Sequence, residues 1–189
     1  MTQQGFPEVP EDRHPRRRAG CLGLVRDGHG RVLFVRTGYG RGLILPGGAA
    51  HPGEWFDAAA RREWWEETGL HLEPGALLAV DQVPADPASG AAEGVNFVFD
   101  AGVLTPERAA ALRVPTAAAD EVAGYEWVHP DDFDTHPGLA PYTARRVRQA
   151  LAARHAGRGL PLLHHGEPVT DGGAGTGPAG DDGNDYGSP

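Results

Sequence analysis

The sequence predicts an α/β fold in which a mixed β-sheet lies between helices. Short apolar and β-branched runs alternate with two segments of helical length and pattern. The runs are punctuated by Gly, Pro and Asp turns. The spacing between them is too irregular for repeated strand–helix–strand crossovers, which favours a mixed sheet over an all-parallel one. Within 189 residues, 1–18 read as a flexible, charge-rich arm, 19–156 as the folded domain, and 157–189 as a disordered Gly-, Pro- and Asp-rich tail.

The elements follow in order. Cys21–Val25 and Arg31–Arg36 read as strands joined by the turn Asp27-Gly28-His29-Gly30, a hairpin. Residues 38–42 form a loop without dinucleotide-binding glycine spacing. Leu43-Ile44-Leu45 is a short strand stopped by Pro46-Gly47-Gly48. Glu54–Thr68 reads as a helix, and Gly69 supplies the left-handed residue that ends it. Ala76–Val83 and Val95–Val103 are strands around a Pro/Gly/Ala-rich loop. Thr105 caps a short helix with Pro106 in its first position. Val122–Val128 is a strand, Pro130–Phe133 a helical turn, and Pro141–Ala156 the last helix.

Composition excludes several functions. The net charge is −9. Such a chain lacks the basic surface that extended nucleic acid requires, but it suits a divalent cation. All 17 basic residues outside histidine are arginine. A phosphate-binding P-loop and a Schiff-base mechanism both need lysine, so both drop out. Cys21 is the single cysteine, so no intrachain disulfide framework exists. The N-terminus has no apolar signal-peptide core, and no run of about 18 apolar residues occurs. The expectation is a cytoplasmic chain with no membrane partner; a homodimer is left open.

The chemistry gathers in REWWEETG, residues 62–69. On a helix, Glu63, Glu66 and Glu67 fall in a sector of roughly 100°. Like charges at such spacings repel. Phe56, Ala60 and Trp64 form the apolar stripe beside them. Either the acidic face is solvated, or a cation belongs there. Magnesium takes a few carboxylates together with phosphate oxygens and waters. Gly47 and Gly48 let the backbone pass close by, and their carbonyls are further oxygen donors.

The stretch from Gly48 to Leu70 resembles the Nudix box: Gly, five residues, Glu54, seven residues, Arg62-Glu63, an apolar residue, any residue, Glu66-Glu67, any residue, Gly69, and an apolar residue. The lead-in Leu45-Pro46-Gly47-Gly48 is similar too, and the element order extends the resemblance over 19–156. One position departs: slot 64, usually aliphatic, holds Trp, which raises the question of how the helix packs. The resemblance implies an α/β/α sandwich and a magnesium-dependent hydrolase, with manganese as a substitute. Its substrate would be a small nucleoside diphosphate derivative of the triphosphate, ADP-ribose or nucleotide-sugar type. It implies metal-binding roles for Glu63, Glu66, Glu67 and the Gly47 carbonyl, with Glu63 also holding or deprotonating the attacking water. Glu54 would support them, and Arg62 would orient a glutamate. A non-catalytic nucleotide-sensing module is the alternative.

Further candidates lie outside the box. Arg36 is a candidate for a substrate phosphate, with a strand-end surface arginine as the alternative. Gly48 is a candidate substrate-contacting backbone position. Glu121 is preferred over Glu126 as an extra metal ligand, because it stands at a loop-to-strand edge. Tyr125 and Trp127 read as core aromatics rather than base-stacking platforms. Cys21 reads as a buried filler, and His164-His165 as spectators.

Overall fold

The computed structural model describes residues 17–38, 40, 42–88, 90, 92–157, 160, 162–164 and 167–168. The strands are β1 (Arg18–Arg26), β2 (Val32–Thr37), β3 (Leu43–Ile44), β4 (Gly47–Ala49), β5 (Leu77–Val83), β6 (Gly94–Val103), β7 (Val122–Val128), β8 (Leu162–His164) and β9 (Glu167–Pro168). The helices are α1 (Phe56–Thr68), α2 (Pro106–Ala110) and α3 (Pro141–Ala156). The sheet runs β3-β2-β1-β6-β5-β8-β9, with β4 also paired to β1 and β7 to β2. It is mixed: β1 pairs with β6, and β5 with β8, in parallel, and the other strand pairs are antiparallel.

Alternation along the strands divides the core into two layers. Leu22, Leu24, Val32, Phe34 and Val98 face α3 and pack on Ala144, Val147 and Ala150. Cys21, Val25, Leu33 and Phe99 face α1 and pack on Ala59, Ala60 and Trp64. The packing question at position 64 has a local answer. Trp64 is fully buried, and a Cβ on Gly23 of β1 would lie 2.6 Å from its indole. A glycine in the strand makes room for the oversized residue on the helix.

Four expectations change. Pro46-Gly47-Gly48 does not simply stop a strand, because Gly47–Ala49 pairs with β1 as β4. Gly47 has φ +134°, and a Cβ there would lie 2.1 Å from the Cys21 carbonyl oxygen, so glycine permits the approach. The helix predicted from Glu54 begins at Phe56, because the Glu54 carboxylate accepts the His51 N–H in the preceding turn. The arm gives way to sheet at Arg18, and its neighbour Arg17 bonds Glu93; residues 1–16 lie outside the described ones. In the segment expected to be disordered, 162–164 and 167–168 add two strands beyond β5, whose edge offers unpaired backbone groups. The side chains of His164 and His165 lie outside the described residues.

Candidate active site

α1 carries the acids because its buried stripe fixes its rotation. With Ala59, Ala60 and Trp64 against the sheet, Glu63 and Glu67 turn toward β4 and Glu66 toward solvent. Gly69, at φ 67°, ends the helix as expected and donates its N–H to the Trp65 carbonyl.

Arg62 is the hub. Its Nε donates to Glu54 Oε1 at 2.9 Å and its Nη2 to Glu54 Oε2 at 2.8 Å, a two-point fork. Nη1 donates to Glu63 Oε1 and to Glu66 Oε2, each at 2.9 Å, and Nη2 also reaches the Ala49 carbonyl at 3.1 Å. One guanidinium thus ties three carboxylates to the backbone of β4. The hydrogen bond from Arg62, helped by the His51 amide, lowers the Glu54 pKa to about 2. Arg62 is in turn held firmly protonated, first by Glu54 and also by Glu63 and Glu66.

Glu67 is different. Arg62 does not reach it; its Oε2 accepts the Gly47 N–H at 2.7 Å. Burial, with the charges of Glu63, Glu121 and Glu66 added, pushes its pKa up to about 8 against the opposing Gly47 bond. Burial also raises Glu63, with Arg62 opposing. Gly48 stands so close to Glu63 that a Cβ would lie 2.4 Å from Oε2. The Gly47 carbonyl is also turned outward. The bonds Gly23 N to Pro46 O and Ala50 N to Ala19 O mark the hydrogen-bonded pairs of β1 and β4. Leu22 and Gly47 therefore form the intervening pair, whose N–H and C=O groups point away from the partner strand.

Glu121, just before β7, is exposed, and its charge acts on both Glu63 and Glu67. The structure thus brings Glu54, Arg62, Glu63, Glu66, Glu67, Gly47, Gly48 and Glu121 together. Arg36 goes elsewhere. It alternates with the buried Val35, on the α3 side of the sheet, and pairs with Glu126 of β7. Glu126 also bonds His136 Nε2 at 2.6 Å. Trp127 is half-buried in the α1-side core, as expected, and Cys21 is buried with its thiol pushed up to about 11, chiefly by burial.

The donor set suits a hard divalent cation. It consists of oxygens, and it includes the half-buried Glu67 carboxyl, which Arg62 does not reach. The set is not preassembled. Among the described residues no three His, Cys, Asp or Glu side chains converge in metal-binding geometry, because Arg62 draws Glu63 and Glu66 onto itself. A cavity of about 580 Å³ lies at the β1–β2 turn, lined by Arg31, Leu104, Ala109 and Trp127, and none of the clustered acids lines it.

One contact escapes sequence reasoning. The Tyr125 hydroxyl donates to the Glu67 carbonyl at 2.7 Å, and it lies 3.2 Å from the Arg113 carbonyl. Burial, with Glu67 next, raises the Tyr125 pKa to about 12. Strand alternation marks Tyr125 as core; nothing local marks a bond across 58 positions.

The family profile for the NUDIX domain matches residues 14–150. The chain belongs to the NUDIX family. No curated protein matches it. Solved structures carry the NUDIX likeness further. The MutT NUDIX hydrolase from Burkholderia pseudomallei is 28% identical, with TM-score 0.58, over 71% of this chain and 98% of that one. The MutT protein from Methanosarcina mazei Go1 is 21% identical, with TM-score 0.60, over 77% and 98%. The NUDIX domain of Shewanella oneidensis NrtR, complexed with ADP ribose, is 18% identical, with TM-score 0.59, over 77% and 93%. The mixed sheet with helices on its faces is thus a NUDIX fold, and Glu54, Glu63, Glu66, Glu67 and Glu121 all lie within the matched residues. Among the described residues, no helix is long and apolar enough to cross a membrane.

Proposed function

We propose that this NUDIX chain is a magnesium-dependent hydrolase that splits the diphosphate bond of a small nucleoside diphosphate derivative, of the triphosphate, ADP-ribose or nucleotide-sugar type. The observation that carries the reading is Glu67, a half-buried carboxylate beside Glu63, Glu66 and Glu121 and in contact with a glycine strand. A group so placed is costly to ionise alone and is stabilised by a cation. Glu63, Glu66, Glu67, Glu121 and the Gly47 carbonyl would hold magnesium, or manganese in its stead. When bound, the ion neutralises phosphate charge and acidifies a water.

The chain's own residues supply the rest. Glu54 and Arg62 fix the glutamates to β4. Glu63, already raised by burial, holds the attacking water and takes its proton. The water oxygen bonds to phosphorus as the anhydride P–O bond breaks, and the bridging oxygen leaves with the other phosphate. Gly48, without a side chain, leaves room for the Glu63 carboxylate against β4. Positioning and electrostatics supply most of the rate.

The test is a panel of nucleotide diphosphate derivatives incubated with magnesium in heavy-oxygen water, with products read by mass spectrometry. Heavy oxygen in one phosphate product is expected and identifies the attacked phosphorus. Absence of turnover on the whole panel would overturn the reading. Nucleotide binding without turnover would instead assign the chain as a sensing module.

A further inference from the structure

We propose that Tyr125 is a positioning residue that sets Glu67 for metal binding, an inference that rests on the reading of Glu67 as a ligand. Glu67 is held from two strands. Its carboxylate accepts the Gly47 amide of β4, and its backbone carbonyl accepts the Tyr125 phenol of β7. Glu67 lies in the last turn of α1, where carbonyls lack partners within the helix. Neighbouring carbonyls are met locally: Trp65 takes the Gly69 N–H, and Trp64 takes the Thr68 hydroxyl. The Glu67 carbonyl is met instead by a side chain of β7, on the sheet face beneath α1. The negative end of the helix dipole also disfavours a carboxylate at that end, so a donor on this carbonyl eases the carboxylate's presence there.

The hold is stiff. Tyr125 pairs with Val35 in the β2–β7 register, and its ring packs in the core beneath α1. Its hydroxyl therefore stands at a fixed height above the sheet. The bond defines how far the end of α1 lies from β7, just as the carboxylate bond defines its distance from β4. Without the phenol, the last turn of α1 is free to rise, and the Glu67 oxygens leave the place that the Gly47 turn frames. The Arg113 carbonyl, at 3.2 Å, is the longer of the two acceptors and ties the segment after α2 to the same post.

Tyr125→Phe keeps the ring and removes the donor. Trp127→Phe, two residues along on the same face of β7, is the control for general strand damage. Each purified full-length chain is titrated calorimetrically with magnesium chloride alone, and each is melted in chelator. In Tyr125→Phe, magnesium affinity is expected to fall about ten-fold, the scale on which groups that orient ligands act. Trp127→Phe is expected to lower the melting temperature and leave magnesium affinity unchanged. Wild-type affinity in Tyr125→Phe, or an equal loss in both variants, would overturn the positioning role alone. Failure of the wild-type protein to bind magnesium would overturn the reading of Glu67 as a ligand, and the role of Tyr125 with it.

Discussion

Replacing Glu67 by Gln tests the metal reading without a substrate. The residue is half-buried, and the loss of solvent around its carboxyl holds the pKa at about 8 instead of 4.5. The folded state therefore binds this proton more tightly than the unfolded chain does. Its contribution to stability is fully present below about pH 4.5 and is lost as pH rises through about 8. At about 1.4 kcal/mol per pH unit, the interval is worth up to roughly 5 kcal/mol. Glutamine resembles the protonated acid and still accepts the Gly47 N–H, so it keeps the contact and removes the charge. In chelator at pH 4.5 the two proteins should melt together. At pH 9 the variant should be the more stable by about 3–5 kcal/mol, a gain of roughly 10 °C for a domain of this size. Magnesium should then raise the melting temperature of the wild type and leave the variant unmoved. Thermal unfolding across pH, with and without the ion, reads all of this. A variant that melts at or below the wild type at pH 9 in chelator would refute the idea that an uncompensated, half-buried charge waits for a cation.

Other substitutions probe the frame. Arg62→Lys cannot reproduce the fork on Glu54 together with the bonds to Glu63, Glu66 and Ala49, and should cost about 2 kcal/mol in urea unfolding. Gly48→Ala places a Cβ against the Glu63 carboxylate, so turnover should fall by about a hundred-fold while the melting temperature barely changes, measured on the substrate that the panel finds. Gly23→Ala overpacks the Trp64 indole and should cost about 1–3 kcal/mol by urea unfolding, with Trp64→Leu in the same chain restoring most of the loss.

Much of the fold is legible because it is local. Val122–Val128 and Pro141–Ala156 stand where the pattern puts them, since two bounding valines with Tyr125 and Trp127 between them, and an N1 proline, act within a few residues. The acids are legible because a helix turns spacing into direction. What is not legible is contact between distant segments. Pro46-Gly47-Gly48 has the composition of a turn, yet the open edge of β1 recruits it as a strand. The Gly23–Trp64 fit joins residues far apart in sequence, and neither suggests the other. Arg36 looks free at a strand end until β7 brings Glu126 beside it. Leu162–His164 sits in a tail whose composition speaks of disorder, and the neighbouring strand overrules that composition.

The three glycines at 23, 47 and 48 carry no reactive group, yet each is a mould in which something larger is cast: an indole, a carbonyl approach, a carboxylate. Gene variants that spare every acid and arginine still deform this frame if they thicken one of these places by a single methyl. The frame around these acids thus depends as much on what the chain omits as on what it displays.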